Sequence, residues 1–337
     1  VDGVTTPLTA IAGVNYEISS SHYAGVKYTM TSFPGNHFMR ASTLSDVYAN
    51  GAFYDRWESN DRQTERNTPR HRLNAYYNGK FGELKVDFNS DLYRSSQSTV
   101  SVINESSQEY DNRIINSDNK IRNRLFASRL VLSYPVWEGQ LSAGNEYTRT
   151  RRDDDYITDI QGIPSTNTSI HDENNAFFAE YSRPTPVGQI TAGVRFENVH
   201  SDYFSDDEEM RDQSRHYARW FPNFSYSNTL GGVQLQLSYT AKTVRPAYWQ
   251  LGSSIFYANR FTMQTGNPFL KPTLIHDVSL TTSWKFLQLM VSYKQERDVI
   301  IQWATQMEDN PAVTLLSTLN LDKLPSLTAY LTASPKF

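Results

Sequence analysis

The chain has 337 residues, no cysteine, 20% charged residues and a formal net charge of −4. Disulfide frameworks, thiol chemistry and cysteine-ligated zinc are therefore excluded, and no basic footprint for nucleic acid is present. Mean hydropathy is only −0.58, yet 21 Tyr, 17 Phe and 6 Trp make 13% of the chain aromatic, so it is polar on average and rich in rings that seek interfaces.

In chain order, alternating apolar and polar residues predict strands near 8–19, 22–33, 69–79, 82–95, 121–134, 138–150, 172–184, 188–201, 212–229, 232–244, 273–285, 287–304 and 313–334. Leu84, Val86, Phe88 and Leu92 take one parity while Lys85, Asp87, Asn89 and Asp91 take the other. Ile190, Ala192, Val194 and Phe196 oppose Thr191, Gly193, Arg195 and Glu197, and Val233, Leu235, Leu237, Tyr239 and Ala241 oppose Gln234, Gln236, Ser238, Thr240 and Lys242. Successive side chains point to opposite faces of a sheet, so one face is apolar and the other wet.

Alternate connections are very short: SSSH, GKFGE, PVWEG, PTPVG, LGG and KFL. The intervening ones, 34–68, 96–120, 151–171, 202–211 and 245–272, are long and polar, with 305–312 shorter. Tight turns at one end and long loops at the other fit an outer-membrane barrel with periplasmic turns and external loops. No run of roughly 18 apolar residues occurs, which excludes a membrane-spanning helix but not a spanning barrel, since every second residue of a barrel strand is polar and no unbroken apolar run is needed. Tyr16, Tyr28, Tyr77, Tyr134, Tyr147, Tyr181, Tyr239, Trp284 and Tyr293 share the apolar parity, most of them near the end of an apolar stretch. Girdles at the lipid–water boundary look like this, although Tyr is also simply a good strand former. The fold class is thus all-β, a transmembrane antiparallel up-and-down β-barrel, one domain over 1–337. About thirteen strands is an odd number, whereas single-chain bacterial barrels close with an even one, so the domain is expected to be incomplete. VDGVTTPL has no initiator Met, basic region or apolar core, and the expectation is a removed signal peptide or an internal piece.

Seven His residues are scattered without metal-ligand spacing, so no metal and no cofactor are expected. The acidic runs RRDDDY and SDYFSDDEE read as solvated loop tips. His216 with Asp212 or Glu208 could be drawn as a catalytic pair, but nothing favours it, and the chain is not expected to be an enzyme. Inward-facing Lys27, Lys85, Asp87, Arg195, Glu197, Gln234, Gln236 and Lys242 would line the lumen. Tyr248, Trp249, Phe256, Tyr257, Asn259 and Arg260 cluster in one long loop, a composition suited to stacking on sugars or flat chelates, or equally to a small core of the loop's own.

The segment RPAYWQLGSSIFYANRFTMQTGNPFLKPT, Arg245 to Thr273, resembles the proline block of TonB-dependent outer-membrane receptors, and most of all that of their Bacteroidetes-type outer-membrane β-barrel family. WFPNFSYS (Trp220 to Ser227) is similar to that family's strand entry, and HRLNAYYNGKFGELKVDFNSDLY (His71 to Tyr93) to its hairpin. The match runs from roughly residue 10 to the end and departs at LGSS, Leu251 to Ser254, where the family has Asn-Pro after Leu. The resemblance implies part of a 22-stranded barrel and import of a nutrient of the siderophore, cobalamin or glycan class. It also implies energy from TonB through a plug domain absent from this chain, and leaves room for a surface lipoprotein partner. A passive porin or adhesin-like barrel is the rival class; a soluble carbohydrate-binding β protein is a third.

Within the block, Pro removes a ladder donor and extends its predecessor, so Asn267-Pro268 and Lys271-Pro272 are expected to stop regular pairing. Gly266 is expected to turn the chain with a positive φ, and Phe269 and Leu270 to pin the turn against the wall. Arg245, Pro246, Gly266, Asn267, Pro268, Leu270, Lys271 and Pro272 then hold a fixed external loop. Such a loop either shapes the mouth over a ligand or is a staple that folds alike whatever the cargo.

Overall fold

The computed structural model describes residues 2–4, 6–35 and 37–335, and all nineteen of their strands join one sheet. In chain order these are β1 (Asp2–Val4), β2 (Leu8–Ser19), β3 (His22–Ser32), β4 (His37–Ala49), β5 (Ala52–Glu65), β6 (Arg70–Phe81), β7 (Leu84–Ser106), β8 (Arg113–Val136), β9 (Gly139–Thr158) and β10 (Thr166–Thr185). There follow β11 (Gly188–Ser205), β12 (Glu208–Glu209), β13 (Arg215–Leu230), β14 (Val233–Val244), the helical turn α1 (Tyr248–Leu251), β15 (Ile255–Asn259), β16 (Thr262–Thr265), β17 (Thr273–Trp284), β18 (Leu287–Gln306) and β19 (Thr314–Ala333). The thirteen long strands β2, β3, β6 to β11, β13, β14 and β17 to β19 form a wall, each antiparallel to the next in chain order. Each overlaps one of the thirteen predicted spans, and β7 to β10 run well beyond theirs. The wall has two edges, since β2 and β19 do not pair with each other among the described residues.

Register carries the alternation across the whole wall. Leu132, Ala143, Ala179, Val194 and Pro222 are successive cross-strand partners from β8 to β13, and Leu237, Leu280, Val291 and Ala329 continue the pattern from β14 to β19. Side chains of this outward parity are left open to the surroundings: Phe177 is 53% exposed and Leu327 72%. An apolar face this continuous needs hydrocarbon beside it.

The tight turns are where the prediction expects them. Gly231 and Gly232 take φ of 56° and 82°, the doubly positive turn whose twist matches that of the flanking strands. Trp137 and Glu138 take φ of 48° and 59° in the equivalent turn, an uncommon conformation for residues with a Cβ.

The long polar connections differ from expectation. Only part of each is loop: β7 runs on to Ser106 and β8 begins at Arg113, β9 runs to Thr158 and β10 begins at Thr166, and 34–68 holds the hairpin β4–β5. Water bathes both faces above the bilayer, so pairing continues there without the alternation that marks a strand in the sequence. At the other extreme, β13 starts later than predicted, because Met210 to Ser214 turns on itself with Gln213 N–H donating to Met210 O at 3.0 Å.

The two parities make opposite predictions for charge. Val194→Arg, on the outer face, is expected to cost about 2–4 kcal/mol in unfolding from lipid vesicles, while Gln236→Arg on the inner face leaves the transition unmoved; equal costs would invert the assignment of faces.

Candidate functional site

The segment 245–272 does not extend away from the wall; it folds into the mouth on the inner side. Two dry clusters receive it. Tyr257 and Met263 join Ile103, Ile115, Ile163 and Val313, and Leu251 and Leu270 join Ile170 and Tyr203. Ile103 and Ile170 lie on the wet parity of β7 and β10, so their apolar character is explained by the segment that covers them.

The proline block is fixed by hydrogen bonds at nearly every backbone donor. Asn267 N–H donates to Gln250 O at 2.6 Å and Leu270 N–H to Asn267 O at 3.2 Å. The Asn267 side chain accepts from Phe269 N–H at 2.9 Å and donates to Thr318 O at 2.9 Å. Lys271 N–H donates to Asn320 Oδ1 at 2.7 Å, and Asn320 Nδ2 donates back to Lys271 O at 3.0 Å. Regular pairing then resumes in β17 at Thr273, immediately after Pro272. Leu270 is fully buried, and its carbonyl accepts from Arg215.

Two expectations for the block are corrected. Gly266 is not among the residues with positive φ. It is required by close approach, because a Cβ there would sit 2.5 Å from Gly252 O and 2.6 Å from Gln250 O. Phe269 does not pin the turn, being 58% exposed; Leu270 does so alone.

The six loop residues expected to meet a ligand divide by environment. Tyr257 is buried and its hydroxyl donates to Glu105 Oε2 at 2.5 Å. Arg260 is buried beside the same carboxylate, Nε to Oε2 at 3.6 Å, and lies over the Tyr110 ring at 5.2 Å. The Asn259 side chain accepts from Phe261 N–H at 2.9 Å. Tyr248 donates to Asp172 Oδ2 at 3.2 Å. Trp249 remains exposed, and Phe256 shows one edge while its ring packs at 4.6 Å from Tyr156. Burial, reinforced by Asp172, pushes the Tyr248 phenol up to about 12; burial and then Glu105 raise that of Tyr257. Both hydroxyls therefore stay protonated donors at physiological pH.

Beneath the loop, charges of alternating sign cross the inner face. Arg129 meets Glu146 at 2.9 Å, Glu146 meets Arg195 at 2.6 Å, Arg195 meets Glu197 at 2.7 Å, and Arg245 reaches Glu197 at 3.5 Å and Asp172 at 3.7 Å. A cavity of about 230 Å³ lies at the end of this series, between Arg215, Tyr217, Arg245 and Tyr248. Of its lining residues, Tyr217 and Arg215 carry buried polar atoms, the hydroxyl and Nε, with no hydrogen-bond partner within the protein. Such a space suits ordered water or a small polar group.

Glu105, Asp172, Arg215 and Asn320 hold the loop, yet none is marked as a site residue by the sequence; each sits in a strand of ordinary polar composition. At the LGSS departure, Ser253 Oγ accepts from Tyr203 and Ser254 Oγ shares a hydrogen bond of 2.6 Å with Thr166, so the serines anchor that half of the loop to the wall. His216 pairs with Asp202 at 2.7 Å, not with Asp212 or Glu208, and on the outer parity rather than in the mouth.

Residues 45–337 match the model of the outer membrane protein beta-barrel family. The chain belongs to that family and to the outer membrane. No curated protein matches the sequence. Among solved structures it is similar to the Serratia marcescens hemophore receptor HasR in complex with its hemophore HasA and heme, at 11% identity and TM-score 0.47 over 96% of this chain and 60% of that one. It is also similar to the copper transporter OprC, at 13% and 0.48 over 98% and 59%. A third is the ferric-catecholate import receptor Fiu from E. coli K12, at 10% and 0.48 over 99% and 62%. The chain thus spans about three fifths of each of these proteins.

Truncating Glu105 to Ala leaves the Arg260 charge buried and unpaired. The variant is expected to lose about 3–5 kcal/mol of local stability in the loop, read as rapid proteolysis within 255–265 while the wall keeps its heat-modifiable mobility. Unchanged cleavage would mean that the pair does not hold the loop.

Proposed function

We propose that this chain is most of the barrel wall of a TonB-dependent outer-membrane receptor of the Bacteroidetes type, importing a nutrient of the siderophore, cobalamin or glycan class. The observation that carries the reading is the inward segment 245–272, bonded to the wall at both ends, which narrows the mouth to a shaped, polar, partly aromatic surface. The resemblance of the proline block to that of TonB-dependent receptors supports the same conclusion, as does membership of the outer-membrane barrel family.

In this reading cargo is captured by external loops together with the apex of a plug supplied by the rest of the protein, further strands close the wall between β19 and β2, and TonB moves the plug. A surface lipoprotein can assist where the cargo is a glycan. The chain binds and releases; it does no covalent chemistry. Trp249 and the open edge of Phe256 present rings to cargo. Tyr248, Tyr257 and Arg260 keep those rings in place through their wall contacts, and Asn259 through its bond to Phe261 N–H.

Uptake by cells carrying the intact protein is expected to stop when a protonophore collapses the inner-membrane gradient, since TonB draws on that gradient; uptake that persists would favour the passive porin. Trp249→Ala is expected to weaken cargo binding about tenfold, the loss of roughly 1.4 kcal/mol of stacking, with assembly unchanged. Titration of the purified protein with its cargo gives the value, and undiminished affinity would remove Trp249 from the site.

A further inference from the structure

On the outer face, charge begins where the membrane crossing ends. Arg94 stands ten residues beyond the start of β7 at Leu84, and Arg149 ten beyond the start of β9 at Gly139. A tilted strand needs about 9–11 residues to cross a bilayer, so both guanidinium groups emerge at headgroup level on the side of the long loops. Register makes them part of a field. His71, Arg94, Arg124, Arg151 and His171 are successive cross-strand partners from β6 to β10. The row below runs Leu73, Leu92, Phe126 and Arg149.

Like charges directly opposite one another destabilise a sheet, so three arginines in one row call for a counter-charge. Arg151 finds one in Asp153 at 3.0 Å. Arg94, Arg124 and Arg149 make no ion pair among the described residues. The acids that face them are engaged elsewhere: Glu173 accepts from the Tyr147 hydroxyl, and Asp202 is held by His216 at 2.7 Å. On the inner face Arg129, Arg195 and Arg245 are each paired, and Arg215 donates to the Leu270 carbonyl instead. The unpaired cations also border a recess of about 660 Å³ whose lower lining is Leu73, Leu92 and Phe126. Charge above and apolar surface below, on the face that meets lipid, match an amphiphile rather than a soluble anion.

We propose that this recess binds the phosphate of an anionic lipid headgroup in the outer leaflet, with the acyl chains lying against Leu73, Leu92 and Phe126. The proposal rests on the placement of the wall in the outer membrane and not on import, so the uptake experiment can fail without affecting it. Bound lipid would supply the counter-charge that the row of arginines lacks.

The test uses the intact protein in a zwitterionic detergent with equal amounts of dioleoyl phosphatidic acid or dioleoyl phosphatidylcholine, the retained lipid being read by native mass spectrometry. Phosphatidic acid is expected to be retained over phosphatidylcholine. R94Q/R124Q/R149Q is expected to lower its retention on the order of a hundredfold, since each cation near an anionic lipid surface contributes roughly a factor of five. Arg211→Gln, in an exposed turn, leaves retention unchanged. Heat-modifiable mobility certifies that the triple variant is folded; if it does not fold, Arg149→Gln alone decides, with an expected loss of about fivefold. Equal retention of the two lipids, or undiminished retention by a folded variant, overturns the proposal. So does complete displacement of the lipid by equimolar inorganic phosphate, which would make this an ordinary anion site.

Discussion

Everything in this wall follows from one obligation: inside hydrocarbon, a backbone N–H or C=O has no partner except another strand, and each one left unmade costs several kcal/mol. An antiparallel ladder that never leaves its neighbour meets that obligation. The connections on one side are consequently as short as reversal allows, and even Trp137 and Glu138 accept positive φ so that the ladder from β8 to β9 restarts at once, Val136 opposite Gly139. Side chains are then sorted by what remains, lipid on one parity and water on the other.

Above the bilayer the obligation relaxes but the habit of pairing persists. β7 and β8 stay in register up to Glu105 and Arg113, well past any membrane, and water on both faces removes the need for alternation. Apolar side chains there can be dry only where another part of the chain covers them. The two clusters around Tyr257 and Leu270 are such places, and the segment 245–272 contributes to both, joined in the first by Ile163 and Val313 from neighbouring connections. The mouth is thus built like a small soluble domain set on top of a membrane wall.

This division explains what could be read from residues alone. The thirteen wall spans were legible because lipid enforces a period of two, and their lower ends were sharp because Gly82, Gly231 and Gly232 take conformations that most residues avoid. Their upper ends were not legible, because nothing there alternates. Gly266 looked like a turn glycine; its actual constraint, the carbonyl of Gln250 pressing on it, is a tertiary fact with no local mark. Glu105 carried no signal at all, since its partner Tyr257 lies 152 residues away and an acid in a polar strand looks solvated. The loop aromatics were legible only as a group in sequence; their division between two clusters, and into buried and exposed members, depended on which wall strands they would meet.

The proline block shows how a loop can be rigid without being regular. Prolines at 268 and 272 remove two donors that would otherwise have to be satisfied in an irregular segment. The donors that remain, on Asn267, Phe269, Leu270 and Lys271, are each bonded, two of them to side chains chosen for the purpose, Asn267 and Asn320. At the other end Arg245 closes the series of inner charges through Glu197 and Asp172. A segment clamped electrostatically where it leaves β14, by Glu105 at Tyr257 and Arg260 in its middle, and by amide groups where it enters β17 is held along its length. That leaves the stretch around Trp249 and Phe256 to vary in chemistry without loosening the mouth.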